Sequence, residues 1–236
     1  MNCAECVYWN PDDDCCDAFE CNGTECASLP CEQPDGSVIP VTSYMITILC
    51  GKSASGKDTL LRELVKRGDF VPLVSTTTRP PREGEVEGKD YFFVSREEFE
   101  KRKAEGKFVE VRSYNTLVGG KKDVWFYGLE KQELEGCKDY VVILDLGGAE
   151  ECRRHYGKSN TLIFYVDAPD ALRRDRAESR GSFDDTEWNR RLLDDDVVFS
   201  DDRVMEVCDM TINNVGSVET LLSGFDDAFE HFTNRK

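Results

Sequence analysis

One stretch, Gly51-Lys-Ser-Ala-Ser-Gly56-Lys57-Asp58, limits what this chain can fold into more than any other. The apolar run 44–50 leads into it, and the helix-forming run 58–66 leaves it. Strand, glycine-rich turn and helix in that order make the context in which a phosphate-binding loop is read. The two glycines let several backbone N–H groups turn toward one point, and the following helix adds the positive end of its dipole. Lys57 is then placed to reach the β- and γ-phosphates of a nucleotide. Position 58 departs from the pattern, which has a Ser or Thr hydroxyl there for magnesium; here Asp58 is followed by Thr59. A carboxylate holds Mg²⁺ directly or through water, so Asp58 reads as a changed metal ligand. The plain alternative is a glycine turn that binds nothing.

A chain of 236 residues suits one α/β domain with an appendage, or two small domains. Its net charge of −17 argues against nucleic-acid or membrane-surface partners, which are themselves anionic. No stretch has the roughly 18 apolar residues of a membrane span, and no basic region with an apolar block opens the chain. Both point to the cytoplasm.

Seven of the 11 cysteines precede residue 32, in a segment without Lys or Arg that carries nine acids. Residues 1–43 therefore read as an acidic, Cys-rich appendage, with 34–42 as linker. Cys3-x-x-Cys6 has the spacing of a thiolate zinc site completed by later cysteines. A disordered tail, and disulfide or redox use, stay open beside it, as does a protein partner for the appendage. Cys50, Cys137, Cys152 and Cys208 are scattered and read as small core residues.

After a short strand at 70–74 comes Ser75-Thr-Thr-Thr-Arg79-Pro-Pro-Arg82, then Tyr91-Phe-Phe-Val94. Two arginines stiffened by two prolines offer planar forks that match phosphate oxygens. The stretch 75–94, with the phosphate loop before it, closely resembles the monophosphate-binding segment of guanylate kinases, and the resemblance runs over about 44–236. It implies a doubly wound parallel α/β sheet of the phosphate-loop kinase type. That fold carries a small α+β monophosphate-binding insert at about 75–130 and a lid at about 176–191.

Residue by residue, the resemblance puts Ser75 on guanine and Arg79, Arg82, Tyr91 and Tyr127 on the GMP phosphate. Glu110 falls where the family's carboxylate accepts from guanine N1 and N2; its plain alternative is an exposed strand residue. ATP would lie on Gly51, Lys52, Ser53, Ala54, Ser55, Gly56, Lys57, Asp58 and Thr59, with Asn213 beside the adenine. Lys57, Arg176, Arg180 and Arg191 match catalytic and lid positions, although helix-surface pairing with Glu178, Asp184 and Asp185 would also explain such arginines. Asp145, ending an apolar strand, falls where an acid orients magnesium-bound water. The match loosens at Leu129 and Gly147, which stand where the family has a hydroxyl and an Asp that help read guanine. Asn115, Thr116 or Lys121 are candidates to replace them.

Between these motifs, Ser95-x-x-Glu98 is a capping box opening a helix to about 104, and 107–112 reads as a strand. Segments 139–145 and 160–167 read as buried parallel strands, 149–156 and 218–232 as helices, and 210–214 as the last strand. The function implied is transfer of a phosphoryl group from ATP to GMP or dGMP, with Mg²⁺. Alternatives are a kinase of another nucleotide or small phosphate on the same fold, or a non-catalytic binding domain of guanylate kinase type.

Overall fold

The structure, a computed structural model, describes residues 9–10, 15–16, 31–32, 38–39, 44–82, 84–118, 121–134, 138–179 and 183–233. Two units separate: Met1–Tyr44 with Leu134–Lys138, and Met45–Glu133 with Asp139–Lys236.

In the first unit, β1 (Trp9–Asn10) pairs antiparallel with β2 (Cys15–Cys16), and β3 (Cys31–Glu32) with β4 (Val38–Ile39). Val38–Ile39, read from the sequence as linker, is thus a strand. Cys3 and Cys6 lie outside the described residues. Among those described, no group of His, Cys, Asp or Glu could hold a metal ion.

The second unit begins with β5 (Ile46–Cys50), buried along its whole length, and runs through the glycine turn into α1 (Lys57–Arg67). Leu60 and Leu64, one turn apart, bury the inner face of α1. The helix stops at Gly68, whose φ of 84° is the left-handed geometry that glycine adopts at little cost. Next come β6 (Phe70–Pro72), β7 (Thr76–Thr77) and β8 (Phe92–Phe93). Ser95 caps α2 (Arg96–Ala104) by accepting from the Glu98 N–H, as its sequence anticipates.

The hairpin that follows is longer than its sequence suggests. β9 (Phe108–Val118) and β10 (Lys121–Glu130) pair antiparallel, with a register shift at Leu129/Glu130, so residues 113–118 and 121–123 extend the strands instead of looping out. Both strands keep their ladder bonds, which satisfies backbone groups a loop would leave to water. Together β8, β7, β10 and β9 form a four-stranded sheet in that order.

The chain then returns through β11 (Asp139–Ile143) to α3 (Leu146–Tyr156), a 3₁₀ turn and β12 (Thr161–Asp167). Helix α3 starts three residues before its apolar pattern, because Asp145 caps it by accepting from the Gly148 N–H at 2.8 Å. Helices α4 (Asp170–Glu178), α5 (Asp185–Val198) and α6 (Asp201–Val207) lead to β13 (Met210–Asn213) and α7 (Val218–Thr233).

Five strands make one all-parallel sheet in the order β13, β12, β5, β11, β6. From β5 the chain first builds one side and then crosses to the other. The turn after β5 therefore sits at the carboxyl edge where the order reverses, the place where such sheets bind ligands. Leu49, Val141, Phe164 and Ile212 of the sheet pack with Leu60, Leu64, Leu221 and Phe225 of the helices. Each such side chain contributes about 1.5–3 kcal/mol on burial. Phe70 and Phe225 meet edge to face at 5.7 Å between ring centres. Cys50 and Cys152 are buried, as expected of core cysteines, Cys208 is half-buried, and Cys137 lies outside the described residues. No helix among the described residues is long and apolar enough to cross a membrane.

Candidate active site

The turn after β5 is bent by backbone geometry that only glycine adopts easily. Gly51 has φ 150° and Gly56 φ 108°. A Cβ on Gly51 would stand 2.4 Å from the Val166 carbonyl oxygen, and one on Gly56 would stand 2.1 Å from Asn214 Nδ2. Lys57 curls back over the turn and donates from Nζ to the Gly51 and Lys52 carbonyls at 2.7 and 2.9 Å. Burial pushes the Lys57 pKa below its usual value.

An open cleft of about 280 Å³ lies against this turn. Gly51, Ser53, Lys57 and Asp58 of the turn and α1 line it together with Ser75, Arg79, Arg82, Tyr91 and Tyr127 of the 75–130 segment, and with Asp145 and Arg191. The sequence therefore names residues from two distant segments that line one cavity. Lys52, Ala54, Ser55, Gly56 and Thr59 belong to the turn or to α1 without lining the cleft.

Arg79 is almost fully buried and is held by both Glu85 oxygens at 2.8 and 2.9 Å. Burial works against its charge, but Glu85 and Tyr127 keep its pKa above the usual value. Its guanidinium lies 5.3 Å from the Tyr91 ring centre. Arg82 takes the opposite direction: burial and the like charges of Arg79 and Arg191 lower its pKa. Three arginines on one cleft wall, close enough for their like charges to act on Arg82, form a site that favours an anion. From Tyr91 a ladder of edge-on rings runs to Tyr127 at 5.9 Å and on to Tyr114 at 5.4 Å. Burial raises the Tyr91 pKa to about 12, so its hydroxyl remains a donor at neutral pH.

Glu110 is buried, as a base reader should be, but Arg112 covers it. Arg112 Nε donates to Glu110 at 2.6 Å and its NH2 group at 3.2 Å, while the Leu129 N–H supplies a third bond at 2.9 Å. Glu110 is absent from the cleft wall, whereas Arg112 and Tyr114 are part of it. Leu129 is fully buried and Gly147 exposed. Asn115 and Thr116 line the cleft, and Lys121 opens β10 opposite Val118.

Asp145 also has partners. Its oxygens accept from the Gly148 N–H at 2.8 Å and the Tyr114 hydroxyl at 2.5 Å, with Arg112 NH1 at 3.3 Å. Burial alone would raise its pKa; Arg112 and these bonds hold it below the ordinary carboxylate value. A depressed folded-state pKa contributes stability above the unfolded value, near 3.9, and loses it as pH falls through the folded one. The stability of the chain is expected to fall with acid below about pH 4, and Asp145→Asn is expected to flatten that slope. Denaturant unfolding at stepped pH measures both; an unchanged slope in the variant would contradict the assignment.

The lid arginines divide. Arg191 lines the cleft and is held by Glu187 at 2.7 Å. Arg176 instead grips the outside of the turn, donating to the Ser55 and Asn214 carbonyls at 3.2 and 3.0 Å. Arg180 lies outside the described residues. The surface pairing weighed for such residues does occur at Arg174, which meets Glu178 and Asp185 at 2.8 and 2.6 Å.

Several contacts were not singled out from the sequence. Arg173 is fully buried and donates to the Ser53 carbonyl at 2.9 Å. The Ser53 N–H donates to Asp195 at 2.7 Å, and Lys52 pairs with Asp196 at 2.6 Å, so acids of α5 sit on the anion-seeking turn. Asn214, not the exposed Asn213, touches the turn, through Nδ2 to the Ser55 carbonyl at 2.8 Å. No sequence signal separates the two asparagines; the strand ends between them.

The guanylate kinase family profile matches residues 44–187, well over half of the chain. The chain belongs to the guanylate kinase family. Among curated guanylate kinases, that of Thermotoga maritima is 33% identical over 198 residues, spanning 78% of this chain and 92% of the relative. The guanylate kinase of Thiobacillus denitrificans is 36% identical over 158 residues, 65% of this chain and 71% of the relative. A crystal structure of guanylate kinase from Anaplasma phagocytophilum superposes with a TM-score of 0.56 at 22% identity, covering 80% of this chain and 86% of that one. At that identity the superposition speaks for the fold, while the sequence matches carry the family.

Proposed function

We propose that this guanylate kinase transfers the γ-phosphoryl group of ATP to GMP or dGMP, giving ADP and GDP or dGDP. The observation that carries the reading is that Lys57 of the turn lines the same cleft as Arg79, Arg82, Tyr91 and Tyr127. A donor and an acceptor grip facing one cavity hold two phosphates in line, and phosphoryl transfer is mostly positioning and charge neutralisation.

The loop N–H groups and Lys57 bind the ATP phosphates. Arg82 and Tyr91 bind the acceptor phosphate with Tyr127, and Arg79, braced by Glu85, shapes that end. Arg191 from α5 approaches the transferring group, while Arg176 and Arg173 hold the turn in shape from behind. Magnesium that arrives with nucleotide phosphates needs only one or two protein carboxylates. Asp58, exposed in the first turn of α1 and on the cleft wall, fits that part; Asp145, already bonded to three donors, acts at most through them. When bound, the ion neutralises charge across the β- and γ-phosphates. Charged nucleotides do not cross membranes unaided, so the reading places the enzyme with the cytoplasmic pool.

A coupled ADP-release assay with a panel of nucleoside monophosphates tests the reading, and turnover of none would sink it. Arg82→Ala is expected to raise the acceptor KM about 10- to 100-fold, the worth of one or two charge-assisted hydrogen bonds, with a far smaller change for ATP. Equal losses for both substrates would contradict the placement.

A further inference from the structure

The base end of the acceptor cleft has the opposite polarity to the one a guanine-reading carboxylate would give it. Glu110, the residue expected to accept from guanine N1 and N2, has a side chain only 1% exposed. Its oxygens take three bonds, two from Arg112 and one from the Leu129 N–H. Arg112 lies between it and the cavity. The guanidinium rests flat on α3, where Gly148 leaves space for it; a Cβ there would stand 3.0 Å from Arg112 Nε. Its other edge approaches Tyr114 at 3.4 Å and Asp145 at 3.3 Å. Glu110 takes two of the five guanidinium N–H groups, and Tyr114 and Asp145 both contact NH1. The second N–H of NH2 remains for whatever enters the cleft, beside the edge that NH1 shares with Tyr114 and Asp145.

Position agrees with this. The ring ladder leads from Tyr91, at the phosphate grip, through Tyr127 to Tyr114, whose hydroxyl touches Arg112. Arg112 thus stands two rings along from Tyr91 on the cleft wall, on the side where the proposed acceptor's base would lie. A guanidinium cannot accept from N1–H or an exocyclic amine, but it donates in pairs to O6 and N7 of a 6-oxopurine.

We propose that Arg112, not Glu110, is the base-reading residue of this enzyme, and that it selects the O6 and N7 acceptors shared by 6-oxopurine monophosphates. This rests on the proposed phosphoryl transfer to a purine monophosphate. The 2-amino group of guanine then goes unread, so inosine and guanosine monophosphates are equivalent acceptors. Adenine, which turns an amine toward the guanidinium in place of O6, is refused.

The test is kcat/KM for GMP, IMP, AMP, UMP and 7-deaza-GMP, with binding constants for the same ligands by calorimetry. The wild type is expected to use GMP and IMP within about threefold and to lose about 5- to 150-fold on 7-deaza-GMP, which lacks the N7 acceptor. Arg112→Ala is expected to shrink the preference for IMP over AMP by a similar factor, with Arg112→Lys in between. A loss shared equally by all acceptors would mean that Arg112 only props the wall. GMP favoured over IMP more than about tenfold, with 7-deaza-GMP as good as GMP, would return the reading to Glu110 and overturn the proposal. A preference for UMP would overturn it as well. Binding separates the two levels. GMP and IMP bound alike without turnover would defeat the catalytic reading and keep this one; no binding of either would end both.

Discussion

Lys57→Met is expected to lower kcat by roughly 10²- to 10³-fold, the cost of removing one preorganised charge-stabilising donor, with little change in acceptor KM. The side chain arches over the turn to the Gly51 and Lys52 carbonyls, so its ammonium is fixed before substrate arrives. Charge developing between donor and acceptor phosphates meets a positive group that need not reorganise. Burial lowers the Lys57 pKa, so the protonated form is lost at a lower pH than for an exposed lysine. Wild-type activity should therefore decline on the alkaline side earlier than ordinary lysine titration would bring about. Steady-state kinetics over a pH series checks both statements. A variant within about threefold of wild type would remove Lys57 from the chemistry.

Gly51→Ala is expected to destabilise the fold by roughly 2–6 kcal/mol, combining left-handed backbone strain with overpacking. Its Cβ would lie 2.4 Å from a backbone oxygen of β12 and 2.8 Å from Ser55 Oγ. A flexible side chain could swing away from such a clash; the carbonyl of a central strand cannot move without disturbing the sheet. Either β5 shifts against β12 or the turn opens, and in both cases the N–H groups lose their common focus. Urea unfolding gives the stability, and ATP binding gives the effect on the turn. A change below about 1 kcal/mol with unaltered binding would show that the turn tolerates a side chain, against this account.

The parts of the site that the sequence makes legible are those carried by neighbours in the chain. The turn 51–58 is written in consecutive letters, because its geometry needs glycine at two positions and its chemistry needs a lysine beside them. Arg79 and Arg82 are legible for the same reason, the prolines between them fixing the backbone locally. The Ser95 half of the capping box spans three residues and forms, while the Glu98 side chain turns to Arg102. The partners that no local pattern marks come from far apart. Nothing near Asp195 indicates that it meets the Ser53 N–H, 142 residues away. Arg173 looks like Arg174 in sequence, yet a rotation of one residue on α4 buries the first and leaves the second partly exposed among surface acids.

Glu110 shows the division most sharply. Its place in a strand after the insert helix, and the resemblance attached to it, are readable in the letters. Whether its carboxylate faces a substrate depends on Arg112, two residues on and therefore on the same face of β9, and on Gly148 across the fold, which leaves room for the guanidinium to lie down. By itself the sequence determined the strands of the parallel sheet, the helices after the phosphate turn and after Ser95, the turn itself and the paired arginines, since each is set by short-range backbone and side-chain preferences. The tertiary structure alone decided which charges neutralise one another and which face the cleft. Burial and pairing of ionic groups depend on distances between segments that no local pattern records.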